Sequence, residues 1–382
     1  MKKAINRVFI ASLVLFLLPV FCLASSSEVP ADRYARLEKG VNIPGWLWLN
    51  RGPVRELETQ YAGAEFALMK KMGITCVRVP IDMENIYDPT ADNLLKKPVL
   101  EIMDRGFVEI LEHNLAIIVD LHSISQSTGG SNYSGDLGKD DQVTNGFINF
   151  WEHFADHLST YDPNDIILSP MNEPVFRGME KKWPPIQERV ITRIRAEAPL
   201  HTIIATNVHW SNLDWLVKLK PVDDENIIYN FHFYEPHVFT HQGASWSSDI
   251  VKPMRKVPYP SSPEAVEAAI ALVDSQKVKN RLKNYGKERW NKEKLEHEMQ
   301  KVAKWAKANN CKLLCDEFGV YDRYALHKHR VAWIKDVRQT FEKFGVHWAM
   351  WTWAGSFGLV DRGDDGIEVD EDVAKALGLD VN

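Results

Sequence analysis

The chain has 382 residues, 45% hydrophobic and 26% charged, which suits a folded globular protein with a large core and is too apolar for a disordered chain. Its formal charge is −6, and the first 24 residues hold three basic side chains and no acids, so the rest of the chain stands at −9. Charge therefore argues against nucleic acid or an acidic membrane surface as a partner. Of the four cysteines, Cys22 lies in the leader, and Cys76, Cys311 and Cys315 are an odd remainder without metal-ligand spacing, read as free thiols that pack like small hydrophobes.

The first element, MKKAINRVFIASLVLFLLPVFCLA, has Lys2, Lys3 and Arg7 ahead of an apolar run and ends in Cys22-Leu23-Ala24 before Ser25. This is the pattern of a secretory signal peptide over residues 1–24. The apolar run is short for a spanning helix of ~20 residues. The expectation is a secreted protein, extracellular or periplasmic, with no stable membrane association after cleavage and a monomeric state. Residues 25–382 read as one domain, since no Ser-, Gly- or Pro-rich linker divides them.

Along that domain eight short β-rich runs alternate with longer helical patterns. In order the runs are GVNIPGW, ITCVRVPI, AIIVDLH, IILSPMNE, TIIATN, IIYNFHFY, KLLCDEFG and WAMWTWAG. Helix-period segments cover 64–72, 99–113, 147–157, 294–307 and 329–344. Eight β-then-α units predict an α/β fold, a (β/α)8 TIM barrel with helices outside. A doubly wound open sheet would want a glycine-rich nucleotide turn after an early strand, and GVNIPGW has none.

Side chains alternate along a strand, so each barrel strand has one parity toward the helices and one toward the axis. With Val77 and Val79 outward, Cys76 and Arg78 turn inward; with Ile117, Val119 and Leu121 outward, Ile118, Asp120 and His122 turn inward. The same rule turns Asn230, His232 and Tyr234 inward, then Leu313, Cys315 and Glu317, and Ile167, Ser169, Met171 and Glu173. Five strands thus bring Arg78, His122, Glu173, His232 with Tyr234, and Glu317 to the C-terminal mouth, where barrels of this kind do chemistry. Pro174 holds Glu173 in extended backbone, and Gly319 allows a sharp turn after Glu317.

Two carboxylates across a barrel mouth suit acid/base and nucleophilic work on a neutral substrate. Arg78 and the Tyr234 hydroxyl favour an ionised Glu317, which becomes the nucleophile, and Glu173 the proton donor. A metal site on His232, His237 and His241 lacks the pattern that would complete it, and DRGDDG from Asp361 has glycine where a calcium ligand belongs. No metal and no cofactor are implied. The sequon Asn132-Tyr133-Ser134 carries weight only in a eukaryotic secretory route.

The ordered set VRVPI, DLH, LSPMNEP, FHFY and LLCDEFG resembles glycoside hydrolase family 5, the cellulase family of clan A, over residues 40–361. The resemblance implies a (β/α)8 barrel with Glu173 as general acid/base and Glu317 as nucleophile. It implies that Asn172 binds the 2-hydroxyl in the −1 subsite, that Arg78, His122, His232 and Tyr234 support the nucleophile, and that Trp351 floors that subsite. FTHQGASW and WAMWTWAGSFGLVD look like a bacterial endoglucanase branch in which the positions of His241 and Trp246 lie at the cleft. Two departures, Ser123 where that branch commonly has a second histidine and GVNIPGWLW in place of a short G-N motif, fall in the substrate-contacting region. The implied activity is retaining endo-β-1,4-glucanase on a β-linked poly- or oligosaccharide, with β-mannanase or another β-glucanase as the alternative and a non-catalytic carbohydrate-binding barrel as the reading from another class.

The chain holds 13 tryptophans. Trp151, Trp305 and Trp333 sit in helical patterns and are expected in the core. Trp46, Trp48, Trp210, Trp246, Trp351 and Trp353 follow strand ends or lie in a loop and are expected at the cleft.

Overall fold

The computed structural model describes residues 28–48, 61, 63–124, 134–363 and 366–381. The leader over 1–24, Asn132 and Tyr133 of the sequon, and Asp364 and Asp365 of the acidic turn lie outside the described residues.

Eight parallel strands close into a barrel, with the last pairing back onto the first. They are β1 (Lys39–Asn42), β2 (Cys76–Asp82), β3 (Ala116–Ser123), β4 (Ile166–Ser169), β5 (Ile203–Ala205), β6 (Ile227–Phe233), β7 (Lys312–Phe318) and β8 (His347–Met350). Each coincides with one of the eight predicted runs. The predicted helices are found at Gly63–Lys71, Lys97–Glu112, Asp141–Leu158, Lys292–Asn309 and His327–Phe344. The Asp141 helix starts earlier than its apolar pattern because Asp140 accepts from the amides of Gln142 and Val143, capping the first turn.

Strand alternation separates two cores. Inside the barrel, Cys76, Ala116, Ile118, Ile167, Ile204, Ile228 and Leu314 form an apolar layer, sealed below by Val29 and Leu37 of the N-terminal segment. Arg33 anchors that segment by donating to the Leu200 carbonyl at 2.7 Å and to Thr202 Oγ1 at 2.9 Å. Outside, Val77, Val79, Ile117, Val119, Phe231 and Phe233 pack under the helices. Among the described residues no helix is long and apolar enough to cross a membrane, and Cys76, Cys311 and Cys315 are free thiols.

Three helix tryptophans use their indole N–H to hold backbone just beyond a strand. Trp151 donates to the Pro170 carbonyl after β4, Trp183 to Thr206 after β5 and Trp333 to Glu235 after β6, at 3.0, 3.0 and 3.1 Å. Trp151 and Trp333 are fully buried and Trp305 packs on Tyr229, as the helical pattern predicts. An indole is a large apolar body with one donor, so burial is satisfied only where an acceptor waits. Here the waiting carbonyls lie at the functional end of the barrel.

The structure corrects the readings of β7, Met171, Trp46, Trp353 and Gly319. In β7 Leu313 and Cys315 face the helices while Leu314 faces the axis, and Met171 packs in the outer core. Trp46 is 5% exposed, packed edge-on against Phe107, and Trp353 is fully buried with its indole donating to Glu65 Oε2 at 2.6 Å; both are core, not cleft. Gly319 serves by its missing side chain, because a Cβ there would stand 2.3 Å from the Trp351 carbonyl oxygen. The acidic stretch at Asp361 belongs to an antiparallel hairpin, β9 (Val360–Gly363) with β10 (Gly366–Val369), outside the barrel.

Candidate active site

Glu317 reaches the mouth through a bulge that parity counting does not register. His232 pairs with Glu317 while Phe231 pairs with Cys315, so β7 holds one extra residue, Asp316, against β6. The same irregularity appears against β8 between Cys315 and Phe318. An extra residue lets two consecutive side chains serve one face. Asp316 and Glu317 both point into the barrel, the first deeper and the second at the rim.

Arg78 is the hub of this layer and is fully buried. It donates from NH1 to Glu317 Oε1 at 2.9 Å and to Asn42 Oδ1 at 2.9 Å, and from NH2 to Asn172 Oδ1 at 2.6 Å. NH2 also lies 2.9 Å from Asp120 Oδ1, and Nε lies 3.4 Å from Asp316 Oδ2. Burial alone would weaken the guanidinium's hold on its proton, but Asp120, Asp316 and Glu317 reverse that and hold it above its ordinary value. Asn42 in turn donates to the Asp316 carbonyl at 2.9 Å and the Met350 carbonyl at 3.2 Å, locking β1 to β7 and β8.

Glu317 accepts from Arg78 at Oε1 and from the Tyr234 hydroxyl at Oε2, the latter at 2.9 Å. Burial pushes its carboxyl above the ordinary value and Glu173 adds to this, while His232 and Arg78 pull the other way. Both oxygens already face donors, an arrangement that fits the carboxylate form.

His232 sits between the acids. Its Nδ1 is 2.8 Å from Glu173 Oε1 and 3.5 Å from Glu317 Oε2, and its Nε2 is 3.3 Å from Asp316 Oδ1. Burial opposes its protonation, yet Glu317, Asp316 and Glu173 outweigh burial and raise it to about 10, so at neutral pH it is an imidazolium. Asp316 accepts two bonds from Asn230 at 2.9 Å and, despite burial, is held below the ordinary carboxylate range by Arg78 and His232. Glu173 and Glu317 each bring a carboxylate oxygen within 4.8 Å of the other.

Asn172 is oriented from both ends. Its oxygen takes the Arg78 bond, and its amide nitrogen lies 3.2 Å from His122 Nε2. His122 Nδ1 faces Asp120 Oδ2 at 2.8 Å. The Asn172 amide nitrogen can only donate, so His122 Nε2 accepts from it and Nδ1 carries the hydrogen that meets Asp120. His122 also packs on Trp351, centroids 5.4 Å apart and nearly parallel, and on Trp48 at 4.1 Å.

The family model for cellulase (glycosyl hydrolase family 5) matches residues 46–356. The chain belongs to glycosyl hydrolase family 5. Among its relatives, Endoglucanase 3 of Fibrobacter succinogenes is 27% identical over 360 residues, covering 90% of this chain and 53% of that protein; the chain thus spans about half of that relative. Endoglucanase C of Acetivibrio thermocellus is 25% identical over 315 residues, 82% of this chain and 90% of the relative. A solved hyperthermophilic endo-β-1,4-glucanase in complex with substrate superposes with a TM-score of 0.72 at 24% identity, covering 91% of this chain and 98% of the other; that likeness is one of fold.

For this family 5 glycoside hydrolase, the residues singled out from sequence fall into two groups. Arg78, His122, Asn172, Glu173, His232, Tyr234 and Glu317 form one connected polar network, with Trp351 against His122. His241 and Trp246 lie beside it: His241 packs edge-on to Tyr234 at 4.9 Å, and Trp246, 56% exposed, meets Tyr321 edge-on at 5.0 Å. Phe357 joins both to the aromatic wall. Asn42 and Asp316 were missed, although Asp316 stands next to Glu317 in LLCDEFG and Asn42 in GVNIPGW, and Asn230, read as inward, was given no role. Ser123 is fully buried, so the departure at that position puts a small hydroxyl inside the wall.

Trp210 follows β5 in a stretch, His209–Ser211, with three successive positive φ values of 58°, 60° and 51°. Non-glycine residues adopt that conformation only when neighbours enforce it. Here the amides of His209 and Trp210 reach the Val175 and Pro174 carbonyls at 3.3 and 3.4 Å, and Ser211 Oγ donates to the Asn172 carbonyl at 2.8 Å. The loop after β5 therefore braces the backbone that carries Glu173. The Arg177 guanidinium lies over Trp210 at 4.4 Å.

Proposed function

We propose that this protein is a secreted, monomeric, retaining endo-β-1,4-glucanase that cleaves internal bonds of a β-linked glucan by double displacement. The observation that carries the reading is that Glu173 and Glu317 each bring a carboxylate oxygen within 4.8 Å of the other, an approach that suits the ~5–5.5 Å carboxyl spacing of retaining enzymes. The endoglucanase relatives support the substrate class.

In the first step a Glu317 carboxylate oxygen attacks the anomeric carbon. The bond from that carbon to the leaving sugar's oxygen breaks, and Glu173 in its acid form gives that oxygen a proton. In the second step Glu173, now a carboxylate, takes a proton from water; the water oxygen attacks the same carbon and releases Glu317. Arg78 and Tyr234 hold the nucleophile through one oxygen each, and Asn172, pinned by Arg78 and His122, is placed to meet the 2-hydroxyl. Secretion rests on the leader pattern at residues 1–24.

Assays of Glu317→Gln and Glu173→Ala on soluble β-glucan and on mannan test the reading. Both variants should lose hydrolysis of β-glucan. Substantial turnover by Glu317→Gln would sink the mechanism, whereas wild-type activity confined to mannan would leave the mechanism and overturn the substrate.

A further inference from the structure

We propose that Thr240 fixes His241 as the tautomer protonated at Nδ1, so that Nε2 stands at the cleft as a bare acceptor and binds a sugar hydroxyl that must act as donor. This rests on the reading of the cleft as a glucan site; Thr240 is a positioning residue in it.

The proton count follows from two bonds on one oxygen. Thr240 is fully buried, and its Oγ1 donates to the Tyr234 carbonyl at 2.6 Å. A carbonyl offers only lone pairs, so the single hydroxyl hydrogen is spent there. The same Oγ1 lies 3.0 Å from His241 Nδ1. With its hydrogen committed, Oγ1 can meet Nδ1 only as acceptor, and Nδ1 must carry the hydrogen. A neutral imidazole has one N–H, which leaves Nε2 with a lone pair.

The ring has little freedom to evade this. His237 stacks on its face at 4.2 Å and 15°, Tyr234 meets it edge-on at 4.9 Å, and Phe357 does so at 5.6 Å. Turning the ring over would put a C–H against Thr240 Oγ1 and lose the bond. Among the described residues no partner meets Nε2, and unlike both ring nitrogens of His201 it is not fully enclosed. The ring as a whole is half-buried. Burial, and then His237, hold His241's protonation well below its ordinary range, so the lone pair persists at neutral pH.

A fixed acceptor discriminates by chemistry. A free hydroxyl satisfies it, whereas an ether or carboxylate oxygen would set lone pair against lone pair, and a site built around one polar group rejects ligands lacking its complement. The acceptor is also tied to catalysis, because the carbonyl that takes Thr240's hydrogen belongs to Tyr234, whose hydroxyl holds Glu317.

Long-range 1H–15N spectra of the full-length, histidine-labelled protein at neutral pH test this, with His241→Gln supplying the assignment. The expected pattern is a protonated Nδ1 and an unprotonated Nε2. Thr240→Val should move the population toward the Nε2–H form, and Thr240→Ser should restore it. An Nε2–H tautomer in the wild type, or no change in Thr240→Val, would overturn the assignment; the wild-type spectrum decides it even if the valine variant does not fold. Adding cellotetraose to Glu317→Gln should shift the Nε2 resonance and leave Nδ1 nearly still, and an unmoved Nε2 would overturn the sugar-hydroxyl step. In turnover of soluble β-glucan, Thr240→Val should raise KM by roughly 2- to 10-fold and Thr240→Ser should restore it. The spectra need no turnover, so a protein that hydrolyses no β-glucan would fail the functional reading without touching the tautomer.

Discussion

The lower and upper layers of the barrel interior are built from the same strands, two residues apart, and have opposite chemistry. Below lie Cys76, Ile118, Ile167, Ile228 and Leu314; one inward step higher stand Arg78, Asp120, Ser169, Asn230 and Asp316. The lower layer is apolar, is held by burial and needs no partner groups. The upper layer is buried and polar, and its charges survive because Arg78 faces Asp120 and Asp316. Parity delivers side chains to both layers, but only the upper one needs bulges and braces to aim them.

The largest expected effect lies at the top of the upper layer. Glu317→Gln should lower kcat/KM on soluble β-glucan by ~10^3-fold or more, and Glu173→Ala by ~10^2- to 10^4-fold, the usual worth of a general acid/base. The first variant also sharpens the contrast in stability. The Glu317 carboxyl is raised in the folded state, so its ionisation costs stability as pH climbs above the unfolded value of ~4.3. Glu317→Gln should therefore melt no lower than wild type at pH 7, as thermal denaturation would show.

A paired substitution separates the layers. Ile228→Ala should cost about 2–5 kcal/mol of stability through lost burial and a cavity, with kcat retained in the fraction that remains folded. Arg78→Met should cost about 3–5 kcal/mol because it strands Asp120, Asp316 and Glu317, and should abolish turnover as well. Equal effects of both on kcat, at temperatures where both are folded, would contradict the division of labour.

Two pH limits follow next. Activity needs an ionised Glu317, so kcat/KM should fall on the acid side through a value above the ordinary carboxylate range. His232 is raised to about 10 from its ordinary 6.5, so the stability it adds is full below pH 6.5 and is lost progressively as pH rises toward 10. Denaturant titrations should show that decline in wild type and a flatter one in His232→Gln. The smallest effect is expected at the aromatic wall, where Trp246→Ala should raise KM by roughly 2- to 10-fold through lost ring contact with kcat nearly unchanged.

The same two layers mark what was legible in the sequence. All eight strands could be read, because short β-rich runs between helical periods have one closed solution. The lower layer followed from alternation for Cys76, Ile118 and Ile167, and Arg78, Asp120, His122, Asn230 and His232 followed from it one or two steps higher. The rule broke at β7, where the extra residue at Asp316 reverses the parity: Leu313 and Cys315 turned out to face the helices, and Glu317 reached the mouth by a different route from the one counted. It broke again after β4, where Met171 turns outward and Asn172 and Glu173 both turn to the mouth. Asn42 was hidden because its work is done through the carbonyls of Asp316 and Met350, which leave no trace in side-chain pattern. Trp46 and Trp353 misled because an indole near a strand end can close a core as readily as line a cleft, and a buried acceptor such as Glu65 decides which.

The most direct test is the anomeric configuration of the first product, followed by 1H NMR during hydrolysis of a soluble β-1,4-glucan oligosaccharide. Two carboxylates this close predict that the β-anomer appears first and then mutarotates. Initial release of the α-anomer would mean inversion, and would contradict Glu317 as a nucleophile.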